Sequence, residues 1–337
     1  EIIKGPGSVV YGGNAELAVI KIETRAPKAI NGSRAYAAYG QGESARARGY
    51  AGYSFGKELK GTEISAKVFW EEAQRSDRRY TALSGGSYNM NRGSDLGPKS
   101  LNLYAARDGA STRLLIDDYS LRYRDGVNSP VLSTGSARVD FRSIFYEAKY
   151  SWDVSDSVRL EPRLNYAGAK PWQEDNEDFP YRKETSRLTA SLYSFYKPAN
   201  SFDGMLGGEY YTDKVEIDPG TGASSAAGSG PRRTYDNAAF FGQASFDAGP
   251  VNLATGARYE SNSHYGSALV PRLAATRVYE NFNFKVIYSQ AFRAPSIENI
   301  RLNPDIDPER TTSSEFEAGY KASENFFLSA NIFHVHI

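Results

Sequence analysis

Hydrophobic and polar residues alternate with a period of two along most of the chain. Every second residue is apolar in "EISAKVFWE" (63–71), and the same alternation recurs over 143–152 and 158–166. Successive side chains of a β-strand point to opposite faces of a sheet, so this pattern predicts strands with one apolar face. About fifteen such segments follow one another from Ser33 to the end of the chain.

The connections between these segments alternate in length. Short turn-forming stretches such as "RDGAS" (107–111) and "AGP" (248–250) stand between long polar stretches such as "PWQEDNEDFPYRK" and "DPGTGASSAAGSGPRRTYDN". Strands joined by short turns on one side and long loops on the other are typical of outer-membrane β-barrels. The alternative is a soluble β-sandwich or barrel, in which the many aromatic residues would pair across strands.

The alternation also predicts which residues share a face. The apolar face, expected to contact lipid, includes Ile64, Val68, Trp70, Ile144, Tyr146, Leu160, Leu164, Leu188, Leu192, Leu253 and Leu328. The polar face, expected to line a lumen, includes Lys67, Glu147, Lys149, Arg159, Arg163 and Arg258.

The composition is consistent with a β-barrel, and it argues against several other classes of protein and site. The chain has 337 residues, and no window approaches the roughly 18 consecutive apolar residues of a membrane helix. A transmembrane barrel shows apolar residues only on alternate positions, so a mean hydropathy of −0.54 is compatible with one. The 40 Lys and Arg balance 40 Asp and Glu, which disfavours binding to nucleic acid. The absence of Cys excludes disulfides and thiolate sites.

The first residues follow a different pattern from the rest. The stretch "KGPGSVVYGGNAELAVIKIETR" (4–25) places four glycines before a short apolar strand. Glycine permits positive φ and close backbone approach, so the segment can turn sharply in a crowded interior. It lacks the spacing of a phosphate-binding loop.

This opening resembles the end of the plug domain of TonB-dependent outer-membrane receptors of the siderophore-receptor type. Its short strand, Gly-Pro turn, "VYG" bend and "AVIKI" strand match that pattern, with Lys4 where Arg is usual. Far downstream, "YSQAFRAPSIENI" and "NPDIDPERTTSSEFEAGY" resemble the family's Phe-Arg-Ala-Pro-Ser strand end, its Asn-Pro-Asp-Leu-x-Pro-Glu loop and its Tyr-Glu-Leu-Gly-Tyr strand.

The resemblance implies an all-β fold. We expect an incomplete transmembrane antiparallel β-barrel, with about 15 of the 22 strands of such a plugged barrel and a residual plug segment. Residues 1–28 would be the C-terminal end of the plug domain and residues 29–337 a partial barrel. The sequence is therefore interpreted as a fragment, with the earlier plug and the last strands outside it.

The implied function is energy-coupled, TonB-dependent uptake of a scarce ligand, with a ferric siderophore as the expected one. The implied partners are the TonB–ExbB–ExbD complex, reached through an upstream TonB box, and outer-membrane lipid and lipopolysaccharide. We expect a monomer in the bacterial cell outer membrane that has no cofactor, no nucleic-acid partner and no enzyme activity. A passive porin, an outer-membrane enzyme and a soluble carbohydrate-binding β protein are the alternatives.

Three groups of site residues follow. The resemblance implies a latch between the plug and the barrel, formed by Lys4 and by Glu317 of "FEAGY". The plug turn comprises Gly5, Pro6, Gly7, Tyr11, Gly12 and Gly13. Candidate ligand-binding residues are Tyr11, Tyr80, Tyr88, Trp172, Arg232, Arg233 and Tyr235. Arg232, Arg233 and Tyr235 could meet an anionic or catecholate ligand or the phosphates of lipopolysaccharide, and the sequence leaves both open.

No catalytic or metal site is expected. The chain has three His and no Gly-x-Ser-x-Gly motif, so it offers few candidates for the nucleophile and base of a serine hydrolase triad. His334 and His336 would share a strand face, but no third metal ligand is evident.

Overall fold

The computed structural model of the protein describes most of the chain. The described residues are 2–4, 7–13, 15, 18–42, 47–81, 85, 87–91, 93–123, 137–175, 181–218, 232–296, 299–300 and 303–337.

Short elements come first along the chain. They are β1 (Ile2–Lys4), α1 (Ser8–Tyr11), β2 (Ala18–Ile20) and α2 (Pro27–Ile30). The following strands are β3 (Gly32–Gly40), β4 (Ala47–Leu59), β5 (Thr62–Gln74), β6 (Arg79–Thr81), β7 (Ser87–Asn89), β8 (Asp95–Arg107), β9 (Ala110–Tyr123), β10 (Ala137–Tyr150), β11 (Trp152–Ser155) and β12 (Val158–Asp175). The last are β13 (Tyr181–Ala199), β14 (Phe202–Asp218), β15 (Arg232–Ala248), β16 (Val251–Asn262), β17 (Gly266–Tyr279), β18 (Phe282–Arg293), β19 (Glu309–Ser323) and β20 (Phe326–His336).

The described residues form one wide antiparallel sheet of 16 strands. Fifteen of them follow in chain order from β3 to β20, and β11 pairs beside β12. Two small pairs stand apart, β1 with β2 and the hairpin of β6 and β7. The prediction of an all-β antiparallel fold with about fifteen strands is confirmed.

The two-residue turns between the described strands lie at one end of the sheet, here called the short-turn end; the opposite end is the long-loop end. Residues 60–61, 108–109 and 280–281 are two-residue connections between consecutive strands. Lys60, Asp108 and Glu280 have positive φ values of 51°, 49° and 47°. A backbone with positive φ matches the twist of paired strands, which is why two residues suffice.

The two faces of the sheet differ in what they contact. Helix α1 packs against β15, β16, β17 and β18, and we call the face it touches the inner face. Phe241 and Arg258 are buried on this face, whereas their neighbours Phe240 and Tyr259 are exposed on the outer face. Strand alternation accounts for this difference, because consecutive side chains point to opposite sides.

Register confirms the predicted faces. Tyr146 pairs with Tyr166, and Tyr166 with Leu188, which builds one row of the outer face. Glu147 pairs with Asn165, and Asn165 with Thr189, in the adjacent inner row. By the same alternation all eleven residues predicted for the apolar face lie on the outer face, and all six predicted for the polar face lie on the inner one.

The small core lies between the inner face and the first residues of the chain. Ala268, Val270 and Phe292 form a buried cluster, with Tyr265 and Ala294 packed against it. Val9 of α1 is only 3% exposed. No helix in the described part of the chain is long and apolar enough to cross a membrane.

Candidate functional site

The glycine-rich turn near the start of the chain sits directly on the inner face. The Gly7 amide donates to the Ala15 carbonyl over 2.7 Å, which closes the turn around α1. A Cβ at Gly13 would come within 2.8 Å of Phe292 Cε2, so only glycine allows this approach. We keep the name plug turn for its described part, residues 7–13. Gly5 and Pro6 of the predicted turn lie outside the described residues.

A buried charged cluster lies beneath the plug turn. Arg258 donates through Nε to Glu260 Oε2 over 2.7 Å and through Nη2 to Glu209 Oε1 over 3.0 Å. Its guanidinium also stands 4.9 Å from the centre of the Phe241 ring. Charges this deeply buried are tolerated when they are paired and hydrogen-bonded. Within the described residues, Arg258 Nη1 and Asn237 Nδ2 are buried without a hydrogen-bond partner.

A cavity of about 390 Å³ opens at the long-loop end, next to Gly13 of the plug turn. Three tyrosines line it: Tyr211, Tyr235 and Tyr265. The Tyr211 hydroxyl donates to Glu260 Oε1 over 3.3 Å, and the Tyr265 hydroxyl to the same oxygen over 3.4 Å. The cavity therefore has an aromatic wall whose hydroxyls are held from below by Glu260.

Tyr265 belongs to the three-residue connection between β16 and β17, the shortest described connection at the long-loop end. Burial raises the pKa of Tyr265 to about 12, and the nearby negative charge of Glu260 acts in the same direction. At neutral pH its hydroxyl therefore keeps its proton and can donate to Glu260.

Ion pairs between neighbouring strands complete the cavity wall. Arg187 on β13 donates to both carboxylate oxygens of Asp213 on β14, over 2.6 and 2.7 Å. Its guanidinium lies 3.9 Å from the centre of the Tyr211 ring. Arg293 and Glu309 pair at 3.6 Å across β18 and β19. A bidentate pair beside an aromatic ring holds the guanidinium in one orientation.

Two predicted ligand-binding residues lie on this wall or beside it. Tyr235 lines the cavity, is 7% exposed, and has its ring 5.4 Å from the His264 ring. Trp172 follows a register shift in β12, after which it pairs with Lys183, another cavity residue. The Trp172 ring stands edge-on to Phe141 at 5.5 Å. Because a β-bulge reverses the alternation, Trp172 turns to the inner face although earlier even-numbered residues of β12 face outwards.

The remaining predicted ligand residues do not line the cavity. Tyr11 is 52% exposed on α1. Tyr80 pairs with Tyr88 in the β6–β7 hairpin, and the side chain of Tyr88 lies outside the described residues. Strand alternation places Arg233 on the inner face, two residues from Tyr235, and Arg232 on the outer face, where it lines a groove with Lys214 and Glu216.

Sequence reasoning missed several residues of the cavity. Arg187, Tyr211, Asp213, Tyr265 and Arg293 line it, and none of them was among the predicted ligand residues. A signal did exist for two of them. In "YYTDK" the alternation of β14 sends Tyr211 and Asp213 to the inner face.

The proposed latch is not tested by the described residues. The Lys4 side chain lies outside them, and its backbone pairs with Ala18. Glu317 is 3.5 Å from Lys285 Nζ, and the same amine lies 3.4 Å from Glu315. Glu317 therefore already has a cationic partner on the neighbouring strand.

No group of three or more His, Asp or Glu side chains in the described ranges is arranged to hold a metal ion. The described arrangement offers an aromatic and polar binding wall, and a glycine-rich turn seated beside it.

The fold and the site define a wide antiparallel β-sheet with a short glycine-rich segment seated on its inner face. A family model for TonB dependent receptor-like β-barrels matches residues 70–337. The chain belongs to the TonB-dependent receptor family. A search of curated protein sequences gave no match.

Solved structures show the same fold at low identity. The FrpB iron transporter from Neisseria meningitidis has a TM-score of 0.75 and 14% identity, over 99% of this chain and 59% of its own. The siderophore receptor PirA from Pseudomonas aeruginosa has a TM-score of 0.69 and 13% identity, over 99% and 61%. A ferric enterobactin receptor mutant from Pseudomonas aeruginosa, in complex with enterobactin, has a TM-score of 0.73 and 12% identity, over 98% and 57%. The chain thus spans about six tenths of these proteins.

Proposed function

We propose that this protein is a bacterial outer-membrane receptor that binds a ferric siderophore and takes it up in a TonB-dependent manner. The observation that carries the proposal is the cavity of about 390 Å³ between the plug turn and the inner face. A ligand in this cavity would touch the wall and Gly13 together. Occupancy could then be sensed by the segment that must move for the ligand to pass.

We also propose the division into domains. Residues 1–28 are the end of the plug and residues 29–337 belong to the barrel wall. Two features support this division: α1 contacts four wall strands through Val9 and its neighbours, and the first wall strand begins at Gly32. The Lys4–Glu317 latch between the two parts remains part of this proposal.

Energy for uptake must come from another membrane, because the outer membrane has no ATP and holds no useful ion gradient. We therefore propose coupling to TonB, ExbB and ExbD, with the protein acting as a monomer. Apolar residues of the outer face, such as Leu164 and Leu188, would contact lipid. An outer-face groove of about 310 Å³, lined by Arg142, Lys170, Lys214, Arg232, Glu184 and Glu216, would contact the charged groups of lipopolysaccharide.

Growth under iron limitation tests the proposal. A strain that lacks the receptor gene and carries it on a plasmid is supplied with a panel of ferric siderophores, and uptake of radioactive iron is measured. At least one chelate should support growth and uptake, and deletion of the TonB gene should abolish both. If no chelate in the panel does so, the proposed function is wrong.

Adjacent tyrosines provide a matched pair of variants. Tyr211→Ala removes a cavity residue that is 8% exposed, whereas Tyr210→Ala removes its outer-face neighbour, which is 52% exposed. Tyr211→Ala should weaken ligand binding about tenfold, in the range of a lost buried aromatic contact. Tyr210→Ala should leave binding unchanged. If the two substitutions weaken ligand binding equally, the cavity is not the ligand-binding site.

A further inference from the structure

We infer that the cavity selects ferric chelates without net charge over multiply anionic ones. This inference rests on the proposed function and names the charge class of its ligand. Three hydroxamate anions around Fe³⁺ give a neutral complex, whereas three catecholate dianions leave three negative charges. A receptor must discriminate between these classes mainly by the charges that line its binding site.

The charges lining the cavity cancel. Its cations are Lys183, Arg187 and Arg293, and its carboxylates are Asp213, Asp307 and Glu309. A site that captures a trianion needs an excess of cations, because removing an anion from water is costly without compensation. The described lining provides no such excess.

Both cavity arginines are already paired with a carboxylate of the lining. Arg187 donates through Nε and Nη2 to the two carboxylate oxygens of Asp213, over 2.6 and 2.7 Å. If Arg187 turned to an anionic ligand, the Asp213 carboxylate would lose its partner beside that ligand and repel it. The Arg293–Glu309 pair at 3.6 Å is more exposed to solvent, so the penalty for breaking it would be smaller.

Two of the three cavity tyrosines use their hydroxyl protons on Glu260, which is not among the cavity-lining residues. Tyr211 and Tyr265 both donate to Glu260 Oε1, over 3.3 and 3.4 Å. Each hydroxyl has a single proton to donate. The two tyrosines therefore offer a ligand ring faces and oxygen lone pairs, which suit an uncharged amphipathic complex better than anionic oxygens.

The segments of sequence beside these strands add no net cation. Residues 219–231, between β14 and β15, contain no charged residue. Residues 176–180, between β12 and β13, contain Glu177 and Asp178 and no cation. A basic stretch does occur at Arg75–Arg79, "RSDRR", before and within the β6–β7 hairpin, but none of its residues lines the cavity.

Equilibrium binding to the detergent-purified receptor tests the inference. The probes are a neutral ferric trihydroxamate and a trianionic ferric tricatecholate, each measured at low and high salt. We expect the neutral probe to bind at least about tenfold more tightly, with little dependence on salt. Tighter binding of the tricatecholate would overturn the inference and leave the receptor proposal standing. Binding of neither probe, together with failure of the whole siderophore panel, would overturn both.

Charge variants give a second, independent readout. Asp213→Asn and Glu309→Gln each remove one carboxylate from the cavity lining, and each should raise the ratio of tricatecholate to trihydroxamate affinity about tenfold. Asp236→Asn is the control, since Asp236 accepts from Tyr210 and Thr212 on the outer face. If neither cavity variant shifts the ratio of the two affinities, the cavity charges do not set selectivity and the inference is wrong.

Discussion

Gly12 faces the Arg258 guanidinium across the boundary between the plug turn and the sheet. Gly12 has a φ of +73°, and a Cβ there would lie 3.1 Å from Arg258 Nη2. Gly12 is itself buried, as is Arg258 at 1% exposure. The turn therefore needs glycine for its backbone conformation and for the space above the guanidinium.

Gly12→Ala should loosen the plug turn. The left-handed conformation costs an L-residue about 1–2 kcal/mol, and the added methyl also meets Arg258. The chain has no Cys, so Val9→Cys introduces a unique thiol at a site that is 3% exposed. The rate at which a maleimide labels this thiol should rise about tenfold in the Gly12→Ala background.

The control for this experiment is Gly208→Ala. Gly208 lies on the outer face, and a Cβ there meets nothing within 4 Å. In the Gly208→Ala background, the thiol of Val9→Cys should be labelled at the same rate as in the Val9→Cys parent protein. If Gly12→Ala also matches the parent, the plug turn does not depend on Gly12.

Arg258→Met should destabilise the protein strongly. The substitution leaves Glu209 and Glu260 close together without their shared cation, and breaking a buried pair costs about 3–5 kcal/mol. Urea unfolding in lipid vesicles, followed by tryptophan fluorescence, would measure the loss. Adding Glu260→Gln should recover part of it, because one of the two unpaired charges is removed. A double variant less stable than Arg258→Met would contradict this account.

Leu164→Arg and Asn165→Arg should differ sharply. Leu164 is 46% exposed on the outer face, whereas Asn165 is on the inner face and pairs with Glu147 in the register of β10 and β12. An Arg on the lipid face costs about 2–4 kcal/mol near the midplane, and one in a polar interior is tolerated. The same unfolding measurement compares the two variants. Equal losses would mean that the outer face does not contact lipid.

The Lys4–Glu317 latch can be tested by a double-mutant cycle on the labelling rate of Val9→Cys. Lys4→Ala and Glu317→Ala should each raise the rate about threefold, and the double variant no further, because one interaction is lost in all cases. Glu315→Ala is the control, since Glu315 lies two residues away on the same face of β19. Additive effects would show that Glu317 serves Lys285 alone, at the 3.5 Å observed.

The sequence by itself determined the strands, their faces and the tight turns. Period-two alternation placed Leu164 outwards and Arg258 inwards because side-chain direction in a strand depends only on position along it. Turn formers such as Asp108–Gly109 marked the hairpins, because Gly and Asp tolerate positive φ better than most residues. The glycines of the plug turn were recognisable for the same local reason.

Only the tertiary structure decided which residues meet. Arg187 and Asp213 pair through the register of β13 and β14, and Tyr265 reaches Glu260 because the β16–β17 connection is short. Trp172 faces inwards because a bulge shifts the register of β12. The cavity exists where these strands and the plug turn converge. Contacts between residues far apart in sequence depend on pairing, bulges and packing that no local pattern encodes.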